Sequence, residues 1–218
     1  MFRLVENDLL FRKKYLKYKK KYLELKYTQK GGFLPITEII KQISPMYYFG
    51  GNYQQYGDLL LSIIEKELLS RNVTKFLASG TTKLVYDTAN NQSVVKVVIT
   101  NESLFDRFIK EPIEMMNNKN CNIPTNIVIF SKNNKNIDNM TNINYDIGTY
   151  CVIIWNEEKA LVTDLEKFPK EVMDEAKVWY AITKQELEQK NFTDLGTVNV
   201  GYFKTEPHFR WIDVQPKA

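Results

Sequence analysis

The chain is poor in the residues that build stapled or metal-centred proteins, with two cysteines and one histidine in 218 residues. Cys121 and Cys151 stand far apart, lack metal-ligand spacing and sit in apolar or Asn-rich surroundings. Neither a disulfide nor a zinc site is expected, and both thiols should be reduced. His208, the sole histidine, falls in a turn with Glu206 and Pro207 and reads as a solvated loop residue. No apolar run approaches the roughly 20 residues that a membrane span requires, and Met1-Phe2-Arg3 leads into charge instead of an apolar signal core. An intracellular protein without a transmembrane segment is the expectation. The hydrophobic fraction of 44% and the charged fraction of 26% exclude wholesale disorder. The length allows one main domain and an appendage.

The formal charge of +4 is unevenly placed. Residues 1–30 hold ten Lys/Arg against three Asp/Glu, a net +7, so the remainder carries −3 (20 minus 23). A neutral domain with a basic arm fits this distribution better than a uniformly basic nucleic-acid-binding domain. Within the arm, residues 1–32, Phe11, Tyr15, Tyr18, Tyr22 and Leu25 recur at spacings of four and three, with Lys and Arg between them. That pattern predicts a helix with one aromatic stripe, stopped by Gly31-Gly32. Lysines interleaved with aromatics suit a nucleic acid or an acidic membrane surface, whereas the stripe alone suits docking on this protein or on a partner. The run Lys17-Tyr18-Lys19-Lys20-Lys21-Tyr22-Leu23-Glu24-Leu25-Lys26 followed by Gly31-Gly32 resembles the leader of many giant-virus proteins of the mimivirus type. That resemblance implies a place in the host cytoplasm (viral factory) or in the virion.

Residues 33–72 are expected to form a helical extension, with helices near 36–43 and 58–71 separated by Ser44-Pro45 and Gly50-Gly51. Asp58 is the expected cap of the second helix. Leu59, Leu60, Ile63, Ile64 and Leu68 give it one broad apolar face to pack on the domain that begins near Val73.

From Phe76 to Ile99 the pattern predicts three strands: Phe76-Leu77, Lys83 to Tyr86, and Val94 to Ile99, with a turn over Asp87 to Gln92. The third is apolar throughout except for Lys96, which needs an anionic partner if buried. A helix over Ser103 to Met116, interrupted by Pro112, precedes Asn122-Ile123-Pro124-Thr125-Asn126-Ile127-Val128. The Asn- and Lys-rich stretch from Phe130 to Tyr145 reads as a mobile connection, Tyr150 to Trp155 as a buried strand, and residues 169–191 as an amphipathic helix with Val172, Ala176, Trp179, Tyr180 and Ile182 on one side.

Several strings in this region resemble protein kinases. Ala78-Ser79-Gly80-Thr81-Thr82-Lys83-Leu84-Val85 matches the glycine-rich loop at Gly80 and Val85 only. Ser93-Val94-Val95-Lys96 stands where the family has V-A-I-K. Phe192-Thr193-Asp194-Leu195-Gly196-Thr197-Val198-Asn199 matches the catalytic loop H-R-D-L-x-x-x-N at Asp, Leu and Asn. Two short strands, Val200 to Phe203 and Phe209 to Asp213, then lead to the position of the D-F-G aspartate. The histidine and arginine before Asp194 are replaced by Phe192 and Thr193, and Val214-Gln215 come after Asp213 in place of Phe-Gly.

The resemblance implies an α+β, protein-kinase-like fold. It would comprise an antiparallel β-sheet N-lobe with a C helix over residues 73–155 and a much reduced helical C-lobe over 156–218, preceded by the helical N-terminal extension. It also implies ATP and Mg as cofactors. Lys96 would hold phosphates and pair with Glu114, Glu111 being the reserve candidate. Gly80 and Thr81 would cover the phosphates, Trp155 and Asn156 would border the adenine at the hinge, Asp194 would accept a hydroxyl proton, and Asn199 with Asp213 would hold the metal. Three functions remain open: a minimal phosphotransferase acting on an unidentified acceptor, a pseudokinase-like scaffold for a protein partner, and a virion-associated or nucleic-acid-binding protein working through residues 1–32.

Overall fold

Valine and isoleucine on both faces of a strand require cover on both sides, and that requirement organises the molecule around Val94 to Ile99. A computed structural model describes residues 53–79, 83–133, 137, 140–145 and 150–216. The elements in chain order are α1 (Tyr53–Ser70), β1 (Val73–Ser79), β2 (Lys83–Thr88), β3 (Ser93–Asn101), α2 (Phe105–Met116), β4 (Thr125–Ser131), β5 (Thr141–Asn144) and β6 (Tyr150–Glu158). The strands form one sheet in the order β1-β2-β3-β6-β4-β5, antiparallel except for the parallel edge pair β4 and β5. The fold is thus a mixed one, with a large sheet and few helices.

Period-two alternation sorts β3 between the two covers. Val95, Val97 and Ile99 join Leu60, Ile63, Ile64 and Leu68 of α1 on one face. On the other, Val98 joins Phe105 and Ile109 of α2 with Ile129, Ile153 and Trp155. The four α1 side chains are no more than 5% exposed, and such burial contributes about 1.5–3 kcal/mol each.

The second half of the chain adds β7 (Val162–Thr163), α3 (Lys170–Gln189), β8 (Phe192–Thr193), β9 (Val200–Tyr202), β10 (Phe209–Trp211) and β11 (Gln215–Pro216). Strands β10, β9 and β7 make a small antiparallel sheet, and β11 pairs with β8. Aromatic rings fill this core: Trp211 packs against Trp179 and Tyr180 of α3, and its Nε1 donates to Thr183 Oγ1 at 3.0 Å. Met115 of α2 and Cys121 belong to the same cluster. Trp211 N donates to Asn120 O and Asn122 N to Trp211 O, at 2.9 and 2.8 Å. These bonds fasten the segment after α2 to β10 and so join the two halves.

Several local expectations change. Helix α1 already runs at Tyr53, so Asp58 lies inside it and does not cap it. Pro112 sits within a continuous α2, where it withholds one hydrogen bond without breaking the helix. Part of the connection expected after Phe130 is an edge strand, β5. Ile182 is 54% exposed, and the inward side of α3 is formed by Ala176, Thr183 and Leu187, with Trp179 and Tyr180 partly buried. Strand β6 continues through Glu158, so Asn156, expected at the hinge, is laddered to β3 together with Glu157 and Glu158. Cys121 and Cys151 are buried and form no disulfide. The basic arm and the helix near 36–43 lie outside the described residues. No helix among the described residues is long and apolar enough to cross a membrane.

Candidate functional site

Register brings two lysines to one face of the sheet. Val85 of β2 lies opposite Lys96 of β3, and Lys83 lies opposite Val98. Because side chains alternate, Lys83 and Lys96 point the same way, toward α2 and the C-terminal half. Both are nearly dry, at 5% and 6% exposure. An ammonium so placed must be paired, and each is, by different partners.

Lys83 Nζ lies 2.5 Å from Glu111 Oε1 and also bonds Asp213 Oδ1. Lys96 Nζ lies 2.8 Å from Glu157 Oε1 and donates to the backbone carbonyl of Ile212. Two lysines from adjacent strands therefore reach both α2 and the segment ending at Asp213. Burial would lower the Lys83 pKa, but Glu111 and Asp213 together outweigh it and raise it. Two carboxylates on one ammonium compete, and the buried one yields. Glu111 is pushed up to about 7, chiefly by burial, with Asp213 adding to the rise and Lys83 opposing it. Burial also acts to raise Asp213, yet the cations of Lys83 and Lys96 hold its carboxyl below the usual range.

Glu157 is anchored from three sides. Besides Lys96 it accepts from Trp155 Nε1 at 2.7 Å and from Asn122 Nδ2 at 2.9 Å. Its neighbour Glu158 meets Arg210 Nη1 at 2.7 Å. Asp194 is exposed at φ 60, and its backbone carbonyl accepts from Asn199 Nδ2 at 2.6 Å. Ile212 N donates to the Asn199 carbonyl at 2.9 Å, which sets the Asn199 backbone one residue from Asp213.

Of the residues singled out from sequence, Lys96 bonds the Ile212 carbonyl, one residue before Asp213, and Asn199 joins Asp194. Glu114 is exposed on α2, and Glu111 takes the position beside a lysine. A step of three residues turns a helical side chain by about 60°, enough to move a carboxylate from the wall to solvent. The Asn156 side chain accepts from Arg71 at the end of α1. Alternation along β6 puts it on the face opposite Trp155 and Glu157. Trp155 is fully buried. Gly80 and Thr81 lie outside the described residues.

Sequence reasoning missed Lys83 and Glu157. Lys83 stands where the glycine-rich pattern has its third glycine, and its parity with Val85 was the available signal. Glu157 was masked by its expected place in a hinge, where only backbone groups matter.

Among the described residues there is no group of three or more His, Cys, Asp or Glu suited to a metal ion. The Asp213 carboxylate is paired with Lys83, and the Asn199 amide with the Asp194 backbone. Asn199 commits Nδ2 to Asp194, so its amide oxygen is the atom that would be left for a cation. One carboxylate and one amide oxygen would suit magnesium, which retains several waters and takes phosphate oxygens for the rest.

No protein-family model matches the chain, and no curated protein matches it. Among solved structures, it is similar to a MAP kinase from Leishmania major at 13% identity and a TM-score of 0.46, over 72% of this chain. The chain spans 49% of the length of that protein. A likeness this distant assigns no activity.

Proposed function

We propose that the chain is a minimal protein-kinase-like nucleotide-binding protein that transfers phosphate from ATP with magnesium. The observation that carries this reading is the convergence of Lys83, Lys96, Glu111 and Asp213 from β2, β3, α2 and the segment after β10 into one cluster. A kinase-like site requires a lysine on the phosphates, a helix glutamate that orients it, and a carboxylate and an amide for the metal. The sheet order β1-β2-β3-β6-β4, with α2 between β3 and β4, supports the same reading.

In this reading the buried lysine and glutamate orient the phosphates, and Asp213 with Asn199 holds the magnesium. The metal would neutralise charge on the phosphate oxygens. Asp194 would accept the proton of an acceptor hydroxyl, and Asn199 fixes the backbone that carries it. Excluding water falls to the dry wall of Trp155 and Glu157.

A second reading, a nucleotide-responsive scaffold without transfer, is favoured by Phe192 and Thr193. They replace the histidine and arginine of the family pattern: Phe192 is 4% exposed, and the Thr193 hydroxyl donates to the Gln215 carbonyl at 3.0 Å. They serve packing and strand pairing.

Thermal unfolding with and without ATP and magnesium tests binding, and phosphate release or transfer tests turnover. A ligand at about 100 times its Kd adds roughly 2.7 kcal/mol. Stabilisation of the wild type that is lost in Asp213→Asn supports the site. No shift at millimolar nucleotide overturns both readings, and a shift without turnover selects the scaffold.

A further inference from the structure

We infer that the two buried lysines divide the work: Lys83 is the residue that meets the nucleotide phosphates, and Lys96 is a positioning residue that ties β6 to the backbone beside Asp213. This rests on the nucleotide-binding reading, and it reverses the roles that strand position alone would give them.

The partners decide the division. Lys83 is held by two side-chain carboxylates, and one of them, Asp213, is 36% exposed and lies at the open side of the pair. When Asp213 turns away, to solvent or to a cation, Lys83 keeps Glu111 and frees a donor, and an ammonium has three to offer. Its remaining partner, Glu111, is 4% exposed and comes from α2, so it aims the lysine without blocking it.

Lys96 has no such freedom. Its carboxylate partner, Glu157, is 1% exposed and is gripped by Trp155 Nε1 and Asn122 Nδ2. Turning Lys96 to a phosphate would leave that carboxylate buried without its cation, which is the costliest way to break a buried pair. Its other bond goes to the carbonyl of Ile212, the residue before Asp213. Lys96 thus links Glu157 on β6 to the segment that presents the metal-binding carboxylate. Removing it loosens Asp213 without removing a phosphate contact.

The test separates nucleotide affinity from metal affinity. Metal-free ATP binding is measured by calorimetry on the full chain, then Mn²⁺ binding to the ATP-loaded protein by electron paramagnetic resonance. Lys83→Met should weaken metal-free ATP binding about tenfold or more, the effect of losing one charge-assisted contact. Lys96→Met should leave metal-free ATP binding within about threefold and weaken Mn²⁺ binding about tenfold. Pairing Lys96→Met with Glu157→Leu should recover folding stability but not Mn²⁺ affinity, a split that a merely structural residue would not produce. If Lys83→Met does not fold, Lys83→Met with Glu111→Leu removes the stranded carboxylate and carries the same expectation. Loss of metal-free ATP binding in Lys96→Met with retention in the Lys83 variants overturns the division alone. Absence of ATP binding in the wild type overturns the nucleotide-binding reading and this inference with it.

Discussion

Asn199 donates through Nδ2 to the backbone carbonyl of Asp194 at 2.6 Å, and Asp194 itself sits at φ 60. The bond closes a left-handed turn that Asp and Asn accept more readily than other non-glycine residues. Asp194→Asn should therefore hold its stability within about 0.5 kcal/mol while abolishing phosphate transfer. Asp194→Ala should lose about 1 kcal/mol because alanine gains nothing in the left-handed region. Urea unfolding beside a transfer assay checks both. Unchanged transfer in Asp194→Asn removes Asp194 from the chemistry.

Glu111 gives the fold a pH dependence of defined sign. A carboxyl whose folded pKa exceeds its unfolded value binds its proton more tightly when folded, so it favours folding at low pH. Glu111 rises from its ordinary 4.5 to about 7, and its contribution therefore declines as pH climbs through that window. Between pH 5 and pH 7.5 the wild type should lose on the order of 1–3 kcal/mol relative to Glu111→Gln. Asp213 and Glu158 are shifted in the opposite direction, and their contributions fade only at acid pH. Urea midpoints at several pH values read the difference between the two proteins. A difference that stays flat would mean that Glu111 remains ionised throughout.

How much of this was legible in the sequence depends on the range of the interaction. Strands β2, β3 and β6 and helix α3 announce themselves through local periodicity, the edge strand β5 does not, and β3 was recognisable because Val94 to Ile99 is apolar apart from Lys96. Asp194, Asn199 and Asp213 stood out because their spacing is local too. The pairing within the cluster did not. Lys96 meets Glu157 and Ile212, 61 and 116 residues away, while Lys83 meets Asp213 across 130. Those contacts depend on how two cores dock, which no periodicity encodes. Choosing between Glu111 and Glu114 required the rotation of α2 against the sheet, and that is set by Phe105 and Ile109.

Arg210 is the hub of the turn between β9 and β10. It is 7% exposed, lies over the Phe203 ring at 4.5 Å, and bonds the Glu158 carboxylate and the carbonyls of Thr205, Glu206 and Pro207. Burial works to raise the Glu158 pKa, but the Thr205 hydroxyl and Arg210 outweigh it and hold the carboxyl below its ordinary value. Arg210→Met should cost about 1–3 kcal/mol, because a half-exposed carboxylate and three carbonyls lose their donor. Adding Glu158→Gln should recover part of that loss. A depressed carboxyl contributes stability above its unfolded pKa, so the wild-type advantage over Arg210→Met should shrink as pH falls below about 4.5. Denaturant melts of the three proteins at pH 7 and pH 4 test the scheme.

Gly201 is packed where no side chain fits. A Cβ there would stand 2.7 Å from Phe203 Cε2, 2.9 Å from Ile212 Cγ2 and 3.0 Å from the Ala160 Cβ. Phe203 is fully buried and cannot swing away, so Gly201→Ala must push on Ile212, whose carbonyl receives Lys96 and whose neighbour is Asp213. The expected cost is about 1–3 kcal/mol, typical of overpacking, together with weaker Mn²⁺ binding to the ATP-loaded protein. Gly196 supplies the control, since its Cβ would meet only Val198 Cγ2 at an ordinary 3.7 Å. Gly196→Ala should change stability by less than about 0.5 kcal/mol. Equal losses in the two variants would indicate a backbone requirement common to both glycines and would dissociate Gly201 from the placement of Asp213.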